Sequence, residues 1–154
     1  MRILIQRVKR ASVTVERQIV GQINHGLLVL VGIAATDTIN EIEWMCSKIT
    51  KLRIFNDDEG KMNRSLADVE GAILLVSQFT LYGDAQKGLR PSYINAAPPQ
   101  MAKPLYEQML VHLKQTSGLT VEAGIFGAMM DVELVNDGPV TIWLERESGG
   151  SLSL

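Results

Sequence analysis

At 154 residues, 46% hydrophobic and 21% charged, the chain has the size and composition of one compact globular domain that can bury a core without staples. A formal net charge of −2 excludes a polycationic nucleic-acid wrapper, so any RNA contact must come from local basic positions. The single cysteine, Cys46, excludes an intrachain disulfide and a cysteine-built zinc site, and predicts a reduced, cytoplasmic setting.

The opening MRILIQRVKR has too few apolar residues before Gln6 and Arg7 for a signal-peptide core, and no stretch reaches membrane-spanning length. RILIQRV and ASVTVE predict two strand segments separated by a bend near Lys9–Ala11, with Ile3, Ile5 and Arg7 alternating onto one face. QIVGQI (18–23) reads as a strand crossed by Gly21, NHG (24–26) as a turn, and the continuous apolar run LLVLVGIA (27–34) as a strand covered on both faces. Thr38 with Glu41 fits a capping box, and Ile39, Ile42, Cys46 and Ile49 recur at helical spacing behind it. NDDEGKMN (56–63) reads as a turn, and GAILLVSQFTL (71–81) starts as a buried strand.

Residues 97–118 predict a second helix with Leu105, Met109, His112 and Leu113 on one side, its prolines near the start and Gly118 at the C-terminal cap. DVELV (131–135) and VTIWLE (140–145) read as a closing pair of strands reversed at NDGP. SGGSLSL (148–154) reads as a loose tail. Many strands with two helices predict an α/β sandwich in which helices cover one of two sheets. No repeat or linker divides it, so 1–147 is expected to be one domain, followed by the tail over 148–154.

Familiar catalytic signatures are absent: no GxSxG, P-loop, HExxH or GxGxxG occurs. His25 falls in a turn and His112 on an apolar helix side, and neither has sequence neighbours that complete a triad or metal set. Cys46 reads as a small core hydrophobe. NDDEG lacks the spaced oxygens of a calcium loop. What remains is polar chemistry at the end of a buried strand, where Ser77, Gln78 and Thr80 follow ILLV. That pattern fits either a strand leaving the core or a strand end presenting hydroxyls, an amide and free N–H groups to a pocket.

Taken together, SQFTL (77–81) and NDGPVT (136–141) resemble the D-aminoacyl-tRNA deacylase family, whose signature motifs are SQxTL and NxGPxT. The likeness extends through IQRVxRASVTV (5–15), RIFxDxxGKMN (53–63) and GLRPS (88–92), covering nearly all of the chain except the tail. It implies a cytoplasmic homodimer of three-layer β/β/α build, with barrel-like mixed sheets and two main helices. It also implies an enzyme that needs no cofactor or metal and hydrolyses the ester between a D-amino acid and tRNA. Glycine mischarged on tRNA(Ala) would be removed too, and L-aminoacyl-tRNA spared. No DNA or membrane partner is expected.

The resemblance further implies that Gly138 and Pro139 are joined in cis and inserted into the partner subunit's active site. Rigid backbone there would fill the direction an L side chain needs, while a D side chain points away and glycine has nothing to collide. For the ester, Thr80 as nucleophile would need a base that the sequence does not offer. The other route lets the 2′-hydroxyl of the terminal ribose orient water while N–H groups around Phe79 and Thr80 stabilise the oxyanion.

Gln78 would reach the terminal adenosine and Phe79 would line the pocket. Arg7 reads equally as a surface strand residue or as a support for the Gly-Pro loop. Met129 and Met130 read as pocket lining or as core, and Lys87 and Arg90 as phosphate contacts or as a solvated loop. Two rival classes are a non-enzymatic RNA-binding module, for which aromatics at 5% give little stacking platform, and a small-molecule esterase.

Overall fold

The structure is a computed structural model that describes residues 1–149. Its axis is β1 (Arg2–Val15), which has neighbours along both edges. On one edge its first half pairs antiparallel with β3 (Gly26–Gly32), from Arg2 opposite Gly32 to Val8 opposite Gly26. Its second half pairs antiparallel with β2 (Gln18–Ile23). The other edge is taken throughout by β8 (Asp131–Glu145). β6 (Ala72–Ser77) lies parallel to β3, and β7 (Val121–Ala123) lies parallel to β6.

This mixed sheet curls into a nearly closed barrel, because β2 and β7 meet across the gap. A Cβ on Gly21 would stand 2.6 Å from the Ala123 carbonyl oxygen, so the missing side chain permits that approach. Val8, Ala11, Val13, Ile23, Leu28, Leu74 and Val76 fill the barrel. The opposite face of the same strands, including Ile3, Ile5, Leu27, Val29, Ile73 and Leu75, packs against α1 (Ile39–Lys51) and α2 (Pro99–Thr116). The expected α/β build with two helices is therefore present, its two β layers being opposite walls of one curled sheet.

β1 is one strand, not two segments. The expected bend at Lys9–Ala11 is a bulge: Val8 faces Asn136 and Arg10 faces Val135, so β1 spends one extra residue there. The slip reverses side-chain parity. Ile3 and Ile5 face the helices and Arg7 faces the 54–56 segment, whereas Ala11 and Val13 enter the barrel with Val8.

A second correction concerns 131–145. These residues form a single strand rather than a reversing pair, because both halves bind β1 in the same antiparallel sense. Asn136 lies opposite Val8 and Thr141 opposite Gln6, so residues 137–140 loop out of the ladder without changing its direction.

Thr38 and Glu41 form the expected capping box on α1, which buries Ile42, Met45, Cys46 and Ile49 while Ile39 stays exposed. α2 has Pro98 at its N-cap and Pro99 in its first turn, as expected, but Pro104 sits inside the helix on an exposed face. Met109 and Leu113 are buried; Leu105 and His112 are only half-buried, and Ala102 and Tyr106 complete the inward face. The Tyr106 hydroxyl donates to the Leu75 carbonyl at 2.9 Å and roots α2 on β6.

The 56–63 turn is bounded by two short strands, β4 (Phe55–Asn56) and β5 (Met62–Arg64). Among the described residues no helix is long and apolar enough to cross a membrane. Of the tail expected at 148–154, Ser148 and Gly149 form a turn and the rest lies outside the described residues.

Candidate active site

Two segments singled out in the sequence lie on either side of β1, one at the end of β6 beyond β3 and the other on β8. The first begins where β6 ends. Ser77 pairs with Val31, and the Gln78 N–H donates to the Val31 carbonyl at 2.7 Å, the last ladder bond before the chain turns away. A one-turn 3₁₀ helix follows, Phe79–Tyr82. It lies so close to β3 that a Cβ on Gly32 would stand 3.2 Å from the Gln78 carbonyl oxygen. Ser77 and Gln78 are half-buried, while Phe79 and Thr80 face solvent.

The N–H groups of Phe79 and Thr80 open this turn and precede any carbonyl of the turn that could accept them, so they are the donors the geometry leaves for an external oxygen. The Gln78 side-chain amide donates to the Thr80 hydroxyl. An amide is no base in either orientation, so this contact orients the hydroxyl without activating it. The Phe79 ring meets Tyr93 edge-on at 5.2 Å between centroids. Tyr93 closes a loop over 83–93 that is pinned by reciprocal Asp84 and Ser92 backbone bonds of 2.8 Å. Lys87 and Arg90 are exposed on that loop.

The second segment is the bulge on β8. Gly138 and Pro139 are exposed, joined by a cis peptide, and Gly138 has φ +129°. The bulge is held from both sides. Arg7 reaches it from β1: its Nε donates to the Asp137 carbonyl at 3.2 Å and lies 3.3 Å from the Asp137 carboxylate. Its Nη1 donates to the Ile54 carbonyl at 2.6 Å and approaches the Asn56 amide oxygen at 3.4 Å, so β4 backs it from behind.

Arg7 is 7% exposed, which decides against a surface role for it. Asn136 accepts the Val140 N–H at 3.1 Å and donates to the Thr141 hydroxyl at 3.0 Å, spanning the mouth of the bulge. The motif NxGPxT thus contains its own bracket. Asn136, Thr141 and Asn56 were given no role from sequence. The first two stood in the quoted motif, but letters and spacing do not say that one side chain bonds another across a loop-out.

Within one protomer the two segments do not meet. The bulge rejoins β8 at Thr141, roughly 13 Å of strand before Glu145, which reaches the 79–82 turn through Arg2. Met130 lies near the strand end: Gly124 beneath it donates its N–H to the Leu75 carbonyl at 3.0 Å, two residues before Ser77. It packs over Gly124 inside the barrel, beside the end of β1 where Asp131 pairs with Thr14. Met129 is 92% exposed at the same end.

His25 packs edge-on to Phe55 at 5.1 Å, and Cys46 is buried, its thiol pushed up to about 12 by burial and by the nearby Glu43. Neither touches either segment. Two surface grooves, one along residues 10–12 and 22–24 and one between Ile39 and α2, also lie elsewhere. Among the described residues no cluster of side chains could hold a metal ion.

A barrel with a polar strand end and a bracketed Gly-Pro loop-out matches one known class of protein. The family model for D-Tyr-tRNA(Tyr) deacylase matches residues 4–145. A D-aminoacyl-tRNA deacylase of an Exiguobacterium species is 58% identical, covering 96% of this chain and 100% of the relative. One from Desulfotalea psychrophila is 59% identical, covering 96% and 98%.

A solved structure titled c-Myc DNA Unwinding Element Binding Protein superposes with a TM-score of 0.91 at 43% identity, covering 96% of this chain and 100% of that one. A probable eukaryotic D-amino acid tRNA deacylase shares the fold, with a TM-score of 0.83 at 17% identity, covering 93% and 97%. The chain belongs to the D-Tyr-tRNA(Tyr) deacylase family, and is by that membership a hydrolase acting on an ester bond.

Proposed function

We propose that this hydrolase edits D-aminoacyl-tRNA in the cytoplasm, and that each active site is shared between two copies of the chain. The strand end at 77–80 of one copy receives the ester, and Gly138–Pro139 of the other enters beside it. The observation that carries this reading is the exposure of a bulge braced by Arg7 and Asn136, yet lying well away from the strand end of its own protomer. A loop fixed so firmly and left so open fits a role against a second molecule.

Chirality then follows from exclusion. With the substrate ammonium and ester fixed, the α-hydrogen and the side chain compete for two directions. Rigid backbone at 138–139 fills one of them, so an L side chain collides and a D side chain does not. Glycine carries no side chain and is cleaved, which extends the activity to glycyl-tRNA mischarged on tRNA(Ala).

Hydrolysis needs a water placed at the ester carbonyl and a stabilised oxyanion. The N–H groups of Phe79 and Thr80 supply the second, and removing one such donor typically costs about 2.7–4 kcal/mol. The 2′-hydroxyl of the terminal ribose supplies the first, since no carboxylate or imidazole bonds Thr80 among the described residues. Water adds to the carbonyl carbon, the 3′-oxygen leaves with a proton, and the products are the free amino acid and tRNA. Ser77 and Gln78 line the ribose side and Phe79 the pocket wall, while Lys87 and Arg90 meet the tRNA phosphates. Met130, packed over Gly124 beside the end of β6, lines the same pocket.

The deciding experiment measures single-turnover cleavage of D- and L-tyrosyl-tRNA under one condition. Strong preference for the D ester is expected. Equal rates on the two would remove the filter, and activity on free D-tyrosyl esters without tRNA would remove the assistance.

A further inference from the structure

Arg2 is the first residue of β1, opposite Gly32 of β3 and Glu145 of β8. Its guanidinium makes four contacts, two to the 79–82 turn and two to β8. Nε lies 2.6 Å from the Glu145 carboxylate, and Nη1 donates to the Leu81 carbonyl at 3.1 Å. The guanidinium carbon stands 4.5 Å from the Tyr82 ring centroid and 5.8 Å from that of Trp143. The turn needs such a hold. A single 3₁₀ turn has poor internal hydrogen-bond geometry, and here Phe79 and Thr80 are exposed, so core packing fixes neither. Only Tyr82 is buried, and Arg2 grips the turn at that ring and at the carbonyl before it.

Arg7, on the same strand, holds the Gly-Pro bulge through the Asp137 carbonyl. Two arginines on one rigid strand therefore each anchor a backbone carbonyl of a different half-site. We propose that Arg2 is a positioning residue for deacylation: it sets the 79–82 turn at a fixed place relative to the Gly-Pro bulge, with β1 as the spacer between its anchor and that of Arg7. This rests on the shared-site reading above. The Arg2–Glu145 pair is partly exposed and contributes little by itself. A planar fork that bonds a carboxylate and a carbonyl while lying on a ring is something a lysine ammonium cannot reproduce.

The test compares wild type, Arg2→Ala, Arg2→Lys and Glu145→Gln in steady-state and single-turnover cleavage of D- and L-tyrosyl-tRNA, with amide hydrogen exchange read along the chain. For Arg2→Ala, kcat is expected to fall on the order of tenfold to a hundredfold, as misplacement of about 1 Å can cause. KM should change by less than about threefold, the signature of an interaction that matters in the transition state. The preference for D over L should persist, because Arg7 still holds the bulge. Exchange should quicken at 79–83 and stay unchanged at 136–141.

A folded Arg2→Ala protein with kcat within about twofold of wild type would overturn the proposal, as would exchange that quickens uniformly. Should Arg2→Ala not fold, the other two variants decide. Glu145→Gln keeps the contacts to Leu81 and Tyr82 and should stay within about threefold, while Arg2→Lys should lose more than that. The reverse order would place the effect in the ion pair and overturn the proposal. Wild-type protein that fails to separate D from L would sink the functional reading itself, a result distinct from a normal Arg2 variant.

Discussion

Arg7 holds Asp137 twice, with Nε 3.2 Å from its carbonyl oxygen and 3.3 Å from its carboxylate. One buried side chain thus fixes both the backbone and the side chain of the residue before Gly138. Arg7→Met keeps the apolar stem and removes every donor, leaving the buried Ile54 carbonyl without its 2.6 Å partner. A loss of about 1–3 kcal/mol is expected in urea denaturation. D over L preference should narrow because the bulge is no longer held. Full preference in the variant would show that Asn136 alone suffices.

Gly138 has no room for a side chain. At φ +129° a Cβ would lie 2.8 Å from Val140 Cγ2, 2.9 Å from the Val140 nitrogen and 3.2 Å from Arg7 Nη2. Gly138→Ala should therefore move the bulge at a cost of about 1–3 kcal/mol and lose most deacylation while the barrel stays folded. Circular dichroism and single-turnover rates measured together check this. Wild-type activity in a folded variant would contradict it.

Thr80→Ala separates the two chemical routes. With Gln78 donating to its hydroxyl and no base in contact among the described residues, the proposed route does not use the hydroxyl and the rate should remain near normal. Near-total loss would restore the nucleophile. The backbone N–H survives the substitution, so the oxyanion argument is untouched by it.

Glu41 gives a pH dependence unrelated to the site. Burial is the largest single influence and opposes its ionisation, but hydrogen bonds from the Thr38 hydroxyl and N–H, with the Arg146 charge, together outweigh it and hold the carboxyl below its usual range. A lowered folded value means stability that is present above the unfolded pKa of about 4.3 and is lost as pH falls through the folded value. Glu41→Gln should lower the urea midpoint at pH 7 and leave it nearly unchanged in strong acid. The buried Arg146 Nε, which has no hydrogen-bond partner among the described residues, would lose the charge 3.8 Å away and add to the cost at pH 7. A constant difference at all pH values would refute the linkage.

Much of this was legible because it is local. The Thr38–Glu41 box, the buried run before Ser77 and the left-handed Gly118 after α2 each depend on residues a few positions apart. So was the pair of motifs that identified the family. The reversal at NDGP was misread for the same reason: Asp-Gly chemistry permits a hairpin, but here the partner of both flanking runs is β1, more than a hundred residues earlier in the chain. Local preference does not carry that information.

The amino-acid sequence by itself determined the two helices, most strand runs, their apolar faces and the two signature segments, since those follow from periodicity, capping and turn chemistry within short windows. Only the tertiary structure decided that Arg7 turns inward to the bulge, that Arg2 grips the 79–82 turn, and that the two segments, one after β6 and one on β8, lie on opposite sides of β1. Those facts depend on which strands share an edge and in what register, and a single slipped residue, like the one at Lys9, reverses every side chain beyond it.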